Sequence, residues 1–191
     1  MIWTDLVCVA SGPSLVASDC EMVRKAGVKV VAVNNSWEMA PFCNYLYAGD
    51  LKWWNAYNRD VTDLAAEKWT CSRKAHQAYG INLHTVGGGY NSGMRAIQFG
   101  ITKGFKNIAL LGYDCSLKKG IHWHGSHSRR FLKNPDALKL RKWHTQFGKV
   151  AKNANDLGVK IVNCSRDTEL TCFDTASLER VLDGKGDRCG Y

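Results

Sequence analysis

The stretch Leu6-Val7-Cys8-Val9-Ala10-Ser11-Gly12-Pro13-Ser14-Leu15 decides the fold. Its first five residues are apolar without polar alternation, the pattern of a strand covered on both faces in the middle of a parallel sheet. Gly12 then permits a tight turn and Pro13 fixes φ. The Ser14 hydroxyl and its neighbouring N–H groups can face a phosphate at the start of the helix that follows. The turn is not a G-x-G-x-x-G fingerprint, and a strand-to-helix turn with no ligand would carry the same residues.

Four further runs repeat the strand pattern: Val28-Lys29-Val30-Val31-Ala32-Val33, Tyr45-Leu46-Tyr47-Ala48, Asn107-Ile108-Ala109-Leu110-Leu111 and Val159-Lys160-Ile161-Val162-Asn163. Helix-period segments lie between them. Ser92 to Lys103 places Met94, Ile97 and Ile101 on one side, with Gly104 as its stop. Asn134-Pro135 offers an N-cap and a first-turn proline for a long helix. Its stripe is Leu140, Trp143, Phe147, Val150, Ala154 and Leu157, and Gly158 ends it. Thr175 is a candidate cap for a last helix over Ala176 to Leu182, and Gly184 to Tyr191 reads as a fraying end. Strands alternating with helices predict an α/β fold, a Rossmann-like, mostly parallel sheet flanked by helices. Residues 50–90, with Trp53, Trp54, Trp69 and three glycines at 87–89, are the least regular and predict a small lid or insertion.

A chain of 191 residues favours one nucleotide-binding α/β domain over residues 1–191. Its eight cysteines form no C-x-x-C pair, so reduced thiols are expected. The first ten residues lack a basic leader and no apolar run approaches the ~18 residues of a membrane span. These features predict a cytoplasmic protein with no membrane span.

The net charge of +9 is unevenly placed. Lys118 to Lys149 holds nine Lys or Arg against the single acid Asp136, together with four of the six histidines. That segment attracts anions, and the phosphates of a small nucleotide and of a nucleic acid would both suit it. A solvated basic helix face is the other reading of Lys139 to Lys149.

Other candidate groups stand at the carboxyl ends of the expected strands, the edge where open α/β sheets bind ligands. Asn34 and Asn35 follow the second strand. An amide can read a donor and an acceptor on a base or ribose, although asparagine is also a common turn residue. Gly87-Gly88-Gly89-Tyr90-Asn91-Ser92-Gly93 leads into a helix N-terminus with Asn91 or Ser92 as its cap, and glycines let backbone approach a ligand closely. Asp114 ends the Leu110-Leu111-Gly112 run, and Asp50 is placed similarly. Either carboxylate could accept a ribose hydroxyl, hold a metal, or cap a turn.

His122-Trp123-His124-Gly125-Ser126-His127-Ser128-Arg129-Arg130 sets three histidines beside cations, which penalise protonation and favour a neutral imidazole able to take a proton. The spacing also approaches a zinc-binding H-x-H-x-D-H pattern, with Ser126 standing where the aspartate belongs. A surface loop without chemistry would read the same way.

Taken in order, these pieces resemble the small bacterial CMP-sialic-acid-dependent sialyltransferases, which have a GT-A-like Rossmann fold, and the related domain of 6-hydroxymethylpterin diphosphokinase-like proteins. The likeness runs through Val7 to Leu15, Val33-Asn34, Ser92-Gly93 with Ala96 and Gly100, Gly104-Phe105-Lys106-Asn107-Ile108, and Leu111-Gly112-Tyr113-Asp114. The resemblance implies a glycosyltransferase using a nucleotide-linked sugar donor, CMP-linked or other, with no metal or further cofactor. It implies that Gly12, Pro13, Ser14 and Asn34 cradle the nucleotide, that Ser92 and Gly93 touch its ribose or phosphate side, and that the Asp114 loop approaches the leaving phosphate. The family's G-H-S general base is best matched by Gly125-Ser126-His127-Ser128, making His127 the candidate and His124 the next. The tyrosines that hold the leaving phosphate in the family are not matched, and Lys118, Lys119, Arg129 or a histidine would supply the positive partner. The segment between Asn34 and Ser92 is shorter than in the sialyltransferases, which implies a reduced or rebuilt acceptor lid.

Two other readings keep the fold: a protein that captures a nucleotide without turning it over, and an ATP-dependent diphosphokinase with Mg²⁺ held by Asp50 or Asp114. A nucleic-acid acceptor would use the basic segment for phosphates and Trp53, Trp54 and Trp123 for stacking.

Overall fold

The computed structural model describes residues 3–126, 132 and 134–184. Eight strands form one sheet: β1 (Leu6–Val9), β2 (Lys29–Val33), β3 (Tyr45–Tyr47), β4 (Glu67–Thr70), β5 (Asn82–Leu83), β6 (Asn107–Leu111), β7 (Lys160–Asn163) and β8 (Asp174–Thr175). Their order is β5-β4-β3-β2-β1-β6-β7-β8, and every pair is parallel. The helices between them are α1 (Ala17–Ala26), α2 (Leu51–Tyr57), α3 (Arg73–Tyr79), α4 (Ser92–Thr102), α5 (Ala137–Asp156) and α6 (Leu178–Leu182). This is the expected α/β, Rossmann-like architecture.

Alternate residues of the central strands feed two separate cores, because successive strand side chains point to opposite faces. Val7 and Val9 of β1 join Ala109 and Leu111 of β6 against Cys20 and Val23 of α1, Trp54 of α2 and Val181 of α6. Leu6 and Cys8 join Ile108 and Leu110 against Met94 and Ile97 of α4 and Val150 and Ala154 of α5. Helix α4 lies close on the sheet, since a methyl at Gly100 would fall 2.6 Å from Leu6 Cδ2. Full burial on both faces removes the need for polar alternation, which is why the five apolar runs read so plainly as strands.

The stretch expected as a lid or insertion differs. Residues 50–83 contain α2, β4, α3 and β5, whose strands extend the same sheet, with a run of turns and loop over 58–66, and 84–91 leads irregularly into α4. Trp53 and Trp54 are core residues, 2% and 0% exposed, so they do not offer stacking platforms to a nucleic acid. Strand β4, Glu-Lys-Trp-Thr, carries too much polarity to be recognised alone and takes its register from β3.

Helix ends also shift. Asp136, not Asn134, caps α5 by accepting from the Lys139 N–H at 2.8 Å. Leu157 is the exposed C-cap of α5 and not part of its buried stripe. Ser177, not Thr175, caps α6. The seven cysteines among the described residues are unpaired. No helix among the described residues is long and apolar enough to cross a membrane.

Candidate functional site

The chain runs from β1 outward to β5 and then returns to place β6 on the other side of β1. Strand order reverses there, which opens a crevice at the carboxyl ends of the two strands. Their backbones stay paired beyond the strands, with Ala10 N–H donating to Leu111 O and Gly12 N–H to Gly112 O, both at 2.8 Å. A methyl on Gly12 would lie 2.5 Å from the Gly112 carbonyl oxygen, so only glycine lets the two turns touch.

A cleft of about 360 Å³ lies over this junction. Gly12 and Pro13 from the β1 turn, Asn34 after β2, Asp50 after β3, Asn91, Ser92 and Gly93 at the start of α4, and Asp114 after β6 all line it. The candidates drawn from four strand ends and one helix start therefore line one cleft.

Their side chains differ in availability. Asn34 has a left-handed backbone with φ 51°, and its Oδ1 is buried without a hydrogen-bond partner. Asn91 caps α4 by accepting from the Met94 N–H at 2.9 Å. The Ser92 and Gly93 N–H groups, in the first helical turn, have no intrahelical acceptor. Ser92 Oγ accepts from Gly49 N–H at 3.0 Å, and the Tyr113 hydroxyl donates to Gly93 O at 3.0 Å, so the segments after β3 and β6 both hold this helix start. Asp50 is exposed at the N-cap position of α2 and makes no side-chain cap bond.

Three candidates hold structure together. Asp114, 2% exposed, accepts from Ser14 twice, N–H to Oδ2 at 2.8 Å and Oγ–H to Oδ1 at 2.7 Å. Burial raises its pKa above the ordinary carboxylate value and the Ser14 bonds oppose that rise. Ser14 is thereby turned toward Asp114 and does not line the cleft. Asn35 is buried with its Oδ1 accepting from the Trp53 indole N–H at 2.9 Å and its amide donating to Glu38 at 3.1 Å. It stands outside the cleft wall, whereas Trp53 is part of it.

The glycine-rich loop is placed differently from the expectation. Arg95 donates to the Val86 and Gly87 carbonyls at 2.9 and 3.1 Å and to the Gly88 carbonyl, while Gln146 donates to Gly89 O at 2.9 Å. Glycines 87–89 are thus held by side chains of α4 and α5, and none lines the cleft.

The histidine segment folds back over the β1 turn. Trp123 N–H donates to Ser11 O at 3.0 Å, and Ser11 Oγ lies 2.9 Å from His122 Nδ1. His122 lines the cleft beside Ser11, and among the described histidines it is the one in the lining. His124 stacks on His122 with centroids 4.9 Å apart but does not line the cleft. Its pKa is lowered by burial, against the opposing charge of Glu38. His127 and Arg129 lie outside the described residues. Sequence reasoning passed over His122, and only the docking of this segment onto Ser11 distinguishes it from its neighbours.

Lys118 is exposed and ion-pairs with Glu169 at 2.7 Å, and Lys119 pairs with Asp167 at 3.0 Å. Neither lines the cleft, so neither stands ready as the positive partner of a phosphate; Lys52 does line it. Along α5, Arg141, Lys142 and Lys149 are exposed, the solvated face that was one of the two readings. Among the described residues no three His, Cys, Asp or Glu side chains are grouped to hold a metal ion. No protein-family model matches the chain, and no curated protein gives a significant match.

Proposed function

We propose that the cleft binds the phosphorylated nucleoside of an activated donor, a nucleotide-sugar, and that the chain transfers the activated group to an acceptor hydroxyl. The observation that carries the binding half is Asn34 Oδ1, buried and unpartnered in the cleft that the α4 N-terminus also lines. A buried acceptor left unpaired costs stability, and a base amino group or ribose hydroxyl would relieve it. The Ser92 and Gly93 N–H groups are suited to phosphate oxygens, because a helix N-terminus carries partial positive charge.

His122 supports the chemical half. Ser11 Oγ lies 2.9 Å from its Nδ1 and fixes the ring at the cleft. The acceptor O–H gives its proton to the imidazole, the freed oxygen pair forms the new bond to the sugar carbon, and the carbon–phosphate oxygen bond breaks with its pair leaving on the phosphate. The N–H groups of α4 are then suited to the charge that develops on the departing phosphate.

Incubation with radiolabelled CMP-, UDP- and GDP-sugars, followed by chromatography of the products, tests this reading. Release of nucleotide with movement of the sugar is expected, falling by about a hundredfold in His122→Gln while nucleotide affinity is kept. Turnover in His122→Gln at the parent rate would overturn the assignment. Recovery of every donor intact from a protein that binds it would favour capture without turnover.

A further inference from the structure

The cleft has two unlike walls. The polar wall is formed by the strand ends and the start of α4. The apolar part of the lining is Ile121, Leu132, Pro135, Leu140, Trp143 and Phe147. Leu140, Trp143 and Phe147 are spaced i, i+3 and i+7, on one face of α5. The same face continues as Val150 and Ala154, which are buried on the sheet. Phe147 is itself 4% exposed, while Leu140 and Trp143 are only half-buried because there the stripe borders the cleft and not the strands.

Among the described residues this wall is poor in hydrogen-bonding side chains. Among its six residues only Trp143 has a polar side-chain atom, an indole N–H that donates and cannot accept. Hydroxyls or polar ring edges turned toward it would lose hydration with no partner in return among the described residues. A flat hydrocarbon-rich ring would lose nothing and would bury apolar area against Trp143 and Leu140.

Resting on the transferase reading, we infer that the acceptor carries its hydroxyl on an apolar ring, held by Trp143 and Leu140 so that the oxygen faces His122. The polar wall then takes the donor and the apolar wall takes the acceptor. Discrimination against sugar acceptors comes from unpaired hydroxyls and not from shape.

Calorimetric titration of the full chain with 2-naphthol tests this, with methyl β-galactoside and guanosine as the polar comparisons. Binding of 2-naphthol alone is expected, weakened at least about tenfold in Trp143→Ala and in Leu140→Gln. Both variants should keep the parent nucleotide affinity, and a melting temperature near the parent's shows that each is folded. The inference is overturned if 2-naphthol does not bind, if neither substitution weakens it, or if methyl β-galactoside or guanosine binds as well to the same wall. If 2-naphthol binds through Trp143 and no nucleotide binds anywhere, the apolar subsite stands and the nucleotide reading fails.

Discussion

Ser14 and Asp114, one hundred positions apart, are joined by two hydrogen bonds that tie the turn after β1 to the turn after β6. Both turns line the cleft, so the pair fixes the relative position of the two strand ends. Ser14→Ala deletes the hydroxyl bond to a buried carboxylate. The expected loss is about 1–3 kcal/mol of unfolding free energy, read by urea titration.

The same carboxylate makes stability depend on pH. Burial raises the folded-state pKa of Asp114 above 3.8, more than the Ser14 bonds lower it. Between those two values the folded chain binds more protons than the unfolded chain, so this group's contribution falls as pH rises. Asp114→Asn removes that dependence. Unfolding free energies measured from about pH 4 to pH 6 should show the variant gaining on the parent as pH rises, and a constant difference would refute the argument.

At Gly12 the prediction is steric. An added methyl meets the Gly112 carbonyl and the Asp114 carboxylate, neither of which is the loose end of a flexible chain. Gly12→Ala should cost about 1–3 kcal/mol and lower nucleotide affinity by separating the turns, whereas Gly87→Ala, with nothing nearby, should do neither.

Histidine gives the opposite pH sign. His84 is buried, with Nδ1 3.0 Å from the Tyr47 hydroxyl and Nε2 3.3 Å from Thr102 Oγ1, and burial lowers its pKa below 6.5 with help from Arg95. Below 6.5 the unfolded chain binds the extra proton first, so stability falls on acidification. Replacing the imidazole in His84→Gln should flatten the decline between about pH 7 and pH 5 in thermal melts. An unchanged slope would assign the decline elsewhere, His124 being the next candidate because its pKa is lowered for the same reason.

The fold was legible where burial leaves a signature. Val7, Val31 and Leu110 are apolar because they face helices, and their runs identified five strands directly. Strands β4 and β8, Glu67–Thr70 and Asp174–Thr175, are short and polar and exist through pairing with a neighbour, which no local pattern records. At the site, Asn34 and Asn35 are chemically equal in sequence. One meets the cleft and the other holds Trp53, a difference set by backbone direction. His122 and His124 divide in the same way. Trp143 was recognised as part of a helix stripe, but its place on the cleft follows from where that stripe leaves the sheet. Residue types at the strand ends were readable, and their partners were not.

The central claim is that a phosphorylated nucleoside occupies the cleft against Asn34. Thermal shift and calorimetry with CMP, UDP, GDP and ADP on the parent and on Asn34→Gly test it most directly. Glycine accepts the φ of 51° without strain, so the variant should fold at least as stably while lacking the amide. The account predicts that at least one nucleotide raises the melting temperature of the parent and binds Asn34→Gly about tenfold more weakly. A parent that binds none of the four, or a variant that binds them with undiminished affinity, would contradict it.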